Sequence, residues 1–584
     1  MAKFVDKVEI QTPVVRYRNF DLSCQQLTSQ FFMRTGVVYA KEFVKGSKIR
    51  MNLKTYVRMQ PLVKPVLGSV QIHNRAFFVP FRYVWEPYEA FLTQAPYNND
   101  DGTQILTSVP YVWIEDLFAP VLSNSTVLGE SPDYSGPYDL FVDGTYYELN
   151  YKGRHYYKIL RQLGYGYVDT VKHTFSVSAL PLLCYAKVFM DYYFPSQFAH
   201  TGAYAFIDGF FNRHYVYNLA VSEVEQILEC CRCTFYGNDY FVSAWETPVS
   251  PVGGTFDPNV VIPDVTNPYF DGTVIPRSDV MLMSNGTPAV RGYSSSGTPS
   301  SYPQYFTQYI DSSLKALTNY VTRHRLVGAR VFDRYLADYG IALDDEILRR
   351  SYYLGTQSFP IQFQDVMSNA DTISESELGV TGAQLGDYSG KGVAYDGQGN
   401  FAYDTNLNGY FIVINDVTPD IAYYQGIDRN VMHLTHMQFF QDEFQRLGTQ
   451  PVYSIEANVS SSHVSDLFGF TQIYSEYKFG RDSLTGVFEL GTKNVGLMSW
   501  STARVLPRTP VHSFNFMRGD DSWQYARIFY GQYDGPESEL DKFFMVHRCN
   551  VKASMQMLPM YDTYDFDEEE GEKLMMQANG TQFK

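Results

Sequence analysis

The chain has 584 residues and a formal net charge of −17, which excludes a general nucleic-acid coating protein, for which a basic balance is expected. Hydrophobic residues make up 45%, with no unbroken apolar run long enough to cross a membrane as a helix, so the class is globular. Aromatics reach 16%, carried by 48 Tyr and 42 Phe. Such rings bury large rigid surfaces at low entropy cost and favour strands and contacts, so the composition points to a β-rich protein with extensive interfaces.

Residues 1–95 read as an arm and a first set of strands. KIRMNLKTYVRM (Lys48–Met59) alternates polar and apolar side chains, the period of a strand with one buried face. QIHNRAFFVP (71–80) does so less cleanly, and Pro80 ends it. Residues 96–170 form a Tyr/Gly-rich insertion expected on the outside, with a hairpin around Asp143 and Gly144. In 171–249, a helical connection and a strand, LPLLCYAKVFMDYYF (180–194) has apolar residues at helical spacing and Pro181 in its first turn. A second short helix is predicted over 221–231. Residues 250–304 are crowded with Pro, Gly and Ser, the composition of a projecting functional loop or a disordered one. Residues 305–563 open with helices over 311–340, capped by Gly340, and continue into further strands. Those strands are GYFIVINDVTP (Gly409–Pro419), TGVFELG (485–491) and 541–561. Residues 564–584 are an acidic tail with the solvated run YDFDEEEGE.

Signatures of chemistry are thin. The cysteines at 24, 184, 230, 231, 233 and 549 are too sparse for a disulfide scaffold, and CCRC (230–233) lacks a partner CxxC or histidine pair. The cysteines of this cluster read as buried thiols in a reducing cytoplasm. GDYSGKG (386–392) is one residue short of a phosphate loop, and no GxSxG elbow occurs. HLTHMQFF (433–440) sets two histidines three apart, without zincin spacing or its glutamate, and reads as surface or core. DDEILRR (344–350) is a helix with acids at its start and arginines at its end. The opening MAKFVDKVEIQTP has no apolar core of a secretory signal, so cytoplasmic synthesis and assembly are expected. No enzyme, metal or cofactor is expected. The competing reading, a carbohydrate-binding or carbohydrate-active β protein, would use Tyr/Trp platforms and paired acids and would call for a secretion signal.

A longer pattern carries more. FDLS (20–23), GVVYAKEFVKGSKIRM (36–51), RMQPLVKPV (58–66) and FFVPFRYVW (77–85) come first. They are followed in order by LPLLCYAKVFMDYYF, GNDYFVSAWETP (237–248), GARVFDRYLADYGI (328–341) and YYLGTQSFPIQFQDV (352–366). GYFIVINDVTPDIAYYQGIDR (409–429), FGFTQIYSEYKFGRDSLTGVF (468–488) and MLPMYD (557–562) complete the series. Together these blocks resemble the major capsid proteins of microviruses, small bacteriophages with circular single-stranded DNA, and of their gokushovirus-like branch in particular.

The resemblance implies a mainly β fold, a single eight-stranded antiparallel viral jelly-roll barrel with long loop insertions containing short helices. It implies assembly of about sixty copies into a T=1 icosahedral shell around the genome. Residues 1–95 and 305–563 would supply the jelly-roll strands, and 250–304 a protrusion at the three-fold axis that contacts the host. Implied partners are copies of the chain itself, packaged single-stranded DNA, an internal scaffolding protein, a DNA pilot protein, a small basic DNA-binding protein and a host surface receptor. The implied location is the virion, assembled in the host bacterial cytoplasm without membrane insertion. Within this frame Phe77, Phe78, Phe81, Tyr83 and Trp85 read as strand-end aromatics that fill the barrel core and a neighbouring contact. Arg82 would pair with an acid or a phosphate at the edge. Arg16, Arg18, Arg323 and Arg325 are candidate single-stranded DNA contacts on the inner surface.

Overall fold

The computed structural model describes residues 17–99, 102–129, 138–142, 144–166, 175–195, 203–246, 349–367, 388–395, 399–434, 438–442, 449–459, 466–490, 498–530 and 541–557, with the backbone of short strands between 280 and 300. Eleven strands make the framework: β1 (Arg18–Asp21), β2 (Cys24–Gln30), β3 (Thr35–Phe43), β4 (Lys48–Met59), β5 (Val70–Pro80), β6 (Tyr352–Pro360), β7 (Gln362–Met367), β8 (Tyr388–Tyr395), β9 (Gly399–Asp404), β10 (Gly409–Pro419) and β11 (Phe543–Met555).

They form two antiparallel sheets. One runs β1–β11–β4–β8–β7, with β2 also on β11 and β9 also on β4. From Arg18↔Met555 to Gln30↔Phe543 the register never shifts, so β1 and β2 are a single line on β11. The other sheet runs β6–β5–β10–β3. The first and last framework strands are thus neighbours.

Alternation explains the packing. Along β4 and β11 buried and exposed positions follow each other nearly without break. Ile49, Met51 and Leu53 of β4 and Val551 of β11 face Phe78 of β5 and Phe411 of β10 across the space between the sheets. β5 and β10 are buried on both faces. Their other parity, Phe77, Val79, Ile412 and Ile414, joins the largest apolar cluster, shared with helices of the insertion after β5. Continuous apolar runs are what a doubly covered strand requires.

Those helices are α1 (Ile114–Ser123), α2 (Tyr151–Gln162), α3 (Leu180–Val188), α4 (Ala203–Phe211) and α5 (Val221–Cys230). α3 begins with Pro181 in its first turn and continues as a π-helical turn, Phe189–Tyr193. Asn150 caps α2, accepting from the Gly153 amide at 2.9 Å. Gly153 is required by space, since a Cβ there would lie 2.5 Å from the Asn124 carbonyl beyond the end of α1. The 96–170 stretch, expected outside, therefore sends Leu117, Val121, Tyr156 and Leu160 into the central cluster. Its hairpin is present: Val142 pairs with Thr145, and Gly144 between them sits at φ +81°.

The chain between β10 and β11 is mostly irregular. Among its described residues it holds one strand pair, Thr449–Tyr453 with Leu467–Gln472, and short helical turns including Gly519–Ile528. One expectation fails here: TGVFELG, read as a strand, contains a helical turn, Val487–Leu490, entered through Gly486 at φ +71°. Three apolar residues in a four-residue run between glycines satisfy either period, and no described strand pairs with them. The predicted helices over 311–340, the bulk of 250–304 and the 564–584 tail lie outside the described residues.

Candidate functional site

All five predicted aromatics are buried within the chain's own core. Phe77 lies 5.1 Å from Tyr192, centroid to centroid, and Phe78 lies 4.8 Å from Tyr403 in the space between the sheets. Phe81 packs on Tyr88 at 4.9 Å, the Tyr83 hydroxyl is 3.1 Å from that of Tyr352, and Trp85 Nε1 donates to the Tyr215 carbonyl at 3.2 Å. The strand ends at Pro80, and Phe81–Val84 is one helical turn. Arg82 stands half-exposed, 3.3 Å from Glu89. Of the predicted basic residues only Arg18 is described: it is exposed at the start of β1, far from the aromatic group in sequence and on a different sheet. Arg16, Arg323 and Arg325 lie outside the described residues.

Phe77 also lines a cleft of about 330 Å³ with Arg75, Tyr192, Tyr193, Phe235 and Tyr353. Its cation is already committed, because Arg75 is ion-paired with the buried Asp416 and lies over the Tyr193 ring at 5.4 Å.

A second cluster ties the helical layer to the segment before β11. Asp520 lies 2.6 Å from both Arg232 and Arg518, and Arg518 reaches Glu229 at 2.8 Å. Burial would raise the Glu229 carboxyl, but Arg232, the Tyr156 hydroxyl, Arg518 and Lys152 outweigh it and hold it down at about 2. Cys233 points into this cluster, touching Arg34 and Asp520, and burial raises its thiol to about 11. Its neighbours Cys230 and Cys231 are buried and free. Among the described residues no group of three His, Cys, Asp or Glu is set to hold a metal ion. These charges are structural: each is met by an opposite charge inside the chain.

The surface offers something the sequence reading missed. Arg429–Met432 is a 3-10 turn capped by Asp428, and Arg429 anchors it by donating to the Pro451 carbonyl at 2.7 Å and to Glu456 at 2.9 Å. Beyond it Val431 is 71% and Leu434 87% exposed, while Phe439, Phe440 and Tyr477 are each about half-exposed. Phe440 packs at 5.2 Å on Tyr474 and 6.1 Å on Tyr477, and His433 sits 5.4 Å from Phe439. Tyr474 holds φ +61°, a left-handed conformation that costs a non-glycine residue on the order of 1 kcal/mol. The surroundings fix it: its amide donates to Gln450 Oε1 and its hydroxyl accepts from the Gln441 amide, both at 3.1 Å. Rigid aromatic surface of this kind suits contact with another macromolecule. The signal in the sequence was VMHLTHMQFF (431–440), apolar without either the helical or the strand period.

Comparison with known proteins gives the family. The family model described as capsid protein (F protein) of phages matches residues 8–115 and 312–560, spanning the strands of both sheets. The chain is 22% identical over 620 aligned positions to capsid protein VP1 of Chlamydia phage 1, covering 95% of this chain and 96% of that one. It is likewise 22% identical to capsid protein VP1 of Bdellovibrio phage phiMH2K, over 77% of this chain and 78% of that one. With more than half its length matched, the chain belongs to the phage F capsid-protein family, the capsid proteins of microviruses.

Proposed function

We propose that this chain is the repeating subunit of a T=1 shell, about sixty copies closed around circular single-stranded DNA, and that it catalyses nothing. The observation that carries the reading is the family match running through both sheets, with similarity to capsid proteins over nearly the whole length. The strand orders support one eight-stranded jelly roll: β1–β2, β11, β4 and β8–β9 would form one half, β3, β10, β5 and β6 the other, with β7 added at an edge. Successive strands β2, β3, β4 and β5 alternate between the sheets, as a roll requires.

Contacts between copies need rigid, weakly hydrated surface. The Val431–Tyr477 patch supplies it, and we assign it to a contact between subunits. Exposed Arg18, together with Arg16, Arg323 and Arg325, would meet the phosphates of the packaged strand. Residues 250–304 would project outward to the host. A scaffolding protein, a pilot protein and a small basic protein would assist assembly in the host cytoplasm.

Co-expression with the neighbouring phage genes, followed by sedimentation and electron microscopy, tests this. Uniform closed particles holding nuclease-protected single-stranded DNA are expected. A chain that stays a folded monomer under every such co-expression would rule the reading out.

A further inference from the structure

We propose that Cys24 and Cys549 are a disulfide-forming pair, a covalent staple between the first and last framework strands made by exchange with a low-molecular-weight disulfide. The inference concerns the folded chain itself and stands whether or not the chain assembles.

Register provides the first argument. Cys24 of β2 stands directly opposite Cys549 of β11 in an unshifted antiparallel ladder. The Leu22 amide donates to the Val551 carbonyl at 2.8 Å, which makes that pair a hydrogen-bonded one. Pairs alternate, so Cys24 and Cys549, one full repeat along, are also hydrogen-bonded, with Cα atoms about 5.5 Å apart. That Cα separation falls within the disulfide range of about 4.4–6.8 Å, while the Cβ atoms of a hydrogen-bonded pair stand wider than the disulfide spacing of about 3.5–4.5 Å, so closing the bond draws the two Cβ atoms together.

Facing provides the second. Phe20 and Leu22 share the parity of Cys24 and pack on the same cluster as Val551, Ala553 and Cys549. Both sulfurs therefore lie on one face, and the Cys24 thiol is within hydrogen-bonding reach of the Cys549 sulfur. The hydroxyl of Tyr39, close enough to feel both, is buried with no hydrogen-bond partner among the described residues.

Access provides the third. Cys24 is exposed and Cys549 is 1% exposed. Cys184, Cys230, Cys231 and Cys233 are all buried, so solvent reagents meet Cys24 first. With oxidised glutathione, the Cys24 thiolate attacks one sulfur, the glutathione S–S bond breaks and one glutathione thiolate leaves. Cys549 then loses its proton to water, its sulfur attacks the Cys24 sulfur of the mixed disulfide, and the second glutathione leaves. Two protein thiols are oxidised and one glutathione disulfide is reduced to two thiols. Burial raises the Cys549 thiol, so this second step speeds up with pH.

The consequence is mechanical. Among the described strands β1–β2 pairs only with β11 and forms an edge. A bond there closes a loop of nearly the whole chain and stops that edge from peeling.

The full-length protein, incubated with oxidised glutathione, quenched with an alkylating reagent and digested, tests the pair. Loss of two of the six thiols is expected, with the Cys24 and Cys549 peptides linked and lighter by two hydrogens. Cys24→Ser, at an exposed position that leaves the fold intact, should keep all its remaining thiols alkylatable and should abolish any oxidation-dependent rise in the melting temperature. Cys549→Ser should stop at a glutathione adduct on Cys24. A wild-type chain whose Cys24 also stops at that adduct, or a link that forms no faster in the folded chain than in urea, overturns the proposal.

Discussion

In the paired sheets the backbone satisfies itself, whereas between β10 and β11 side chains take a large share of that work. β4 is bonded to β11 along its whole length from Lys48 to Met59, which leaves its side chains to alternate between core and solvent. Across the irregular stretch several carbonyls are met instead by long side-chain donors. Arg429 donates to the Pro451 carbonyl, Arg481 to those of Ile427 and Glu456, Arg504 to that of Phe516, and Arg527 to that of Met498. Asn458 does the same for Leu506 and Pro507. A buried carbonyl left alone costs about 1–3 kcal/mol, and the five fixed donors of a guanidinium can serve several at once. Buried arginine then calls for an acid beside it, which accounts for partly exposed Asp521 beside Arg504 at 2.7 Å and buried Glu456 beside Arg429. A loop-built layer is thus stabilised by charge where a sheet is stabilised by apolar alternation.

The largest test of that contrast is Arg504→Ala. The guanidinium is 2% exposed, lies 4.1 Å over Tyr236 and 4.2 Å over Phe516, and its removal leaves Asp521 with the Tyr236 hydroxyl and Gln524 but without this counter-charge, and takes the Arg504 donor from the Phe516 carbonyl. A loss of about 3–5 kcal/mol in chemical denaturation is expected. Arg504→Lys should recover only part of it, because an ammonium lacks the planar fork. A loss under about 1 kcal/mol would break the comparison.

Acid should weaken both regions as well. His512, 5.7 Å from Phe468 and 6.0 Å from Phe516, is lowered by burial to about 4, and His547 of β11, 3.0 Å from the Thr55 hydroxyl, to about 3. Both stay neutral in the fold while the unfolded chain takes up protons below about 6.5. Their contribution is complete above that pH and falls as pH drops towards 4 and 3, by up to about 1.4 kcal/mol per pH unit for each ring. Denaturation midpoints between pH 7 and pH 4 measure it, and His547→Phe should flatten the sandwich's share of the slope.

Where the period is 2 and the strand long, the sequence was readable: Lys48–Met59 and Gly409–Pro419 have the predicted bounds, and Pro80 ends β5 as expected. Helical spacing and Pro181 likewise announced α3. Two kinds of feature stayed hidden. Burial does not say which copy of a chain does the burying, so Phe77 to Trp85 could be read as core or contact until Tyr192, Tyr403 and Tyr215 were seen beside them. Irregular structure has no period at all, so the exposed patch around Phe440, and the strained Tyr474 beneath it, follow from long-range partners that no local window contains.

The central claim is that this patch joins subunits. Leu434→Asp with Phe440→Asp places two charges on surface that the isolated chain leaves open, so the monomer should fold normally by circular dichroism. Sedimentation of this variant beside the wild type, each co-expressed with the neighbouring genes, is the most direct measurement. The account predicts fast-sedimenting shells for the wild type and slow, folded subunits for the variant; shells of equal yield from both would contradict it.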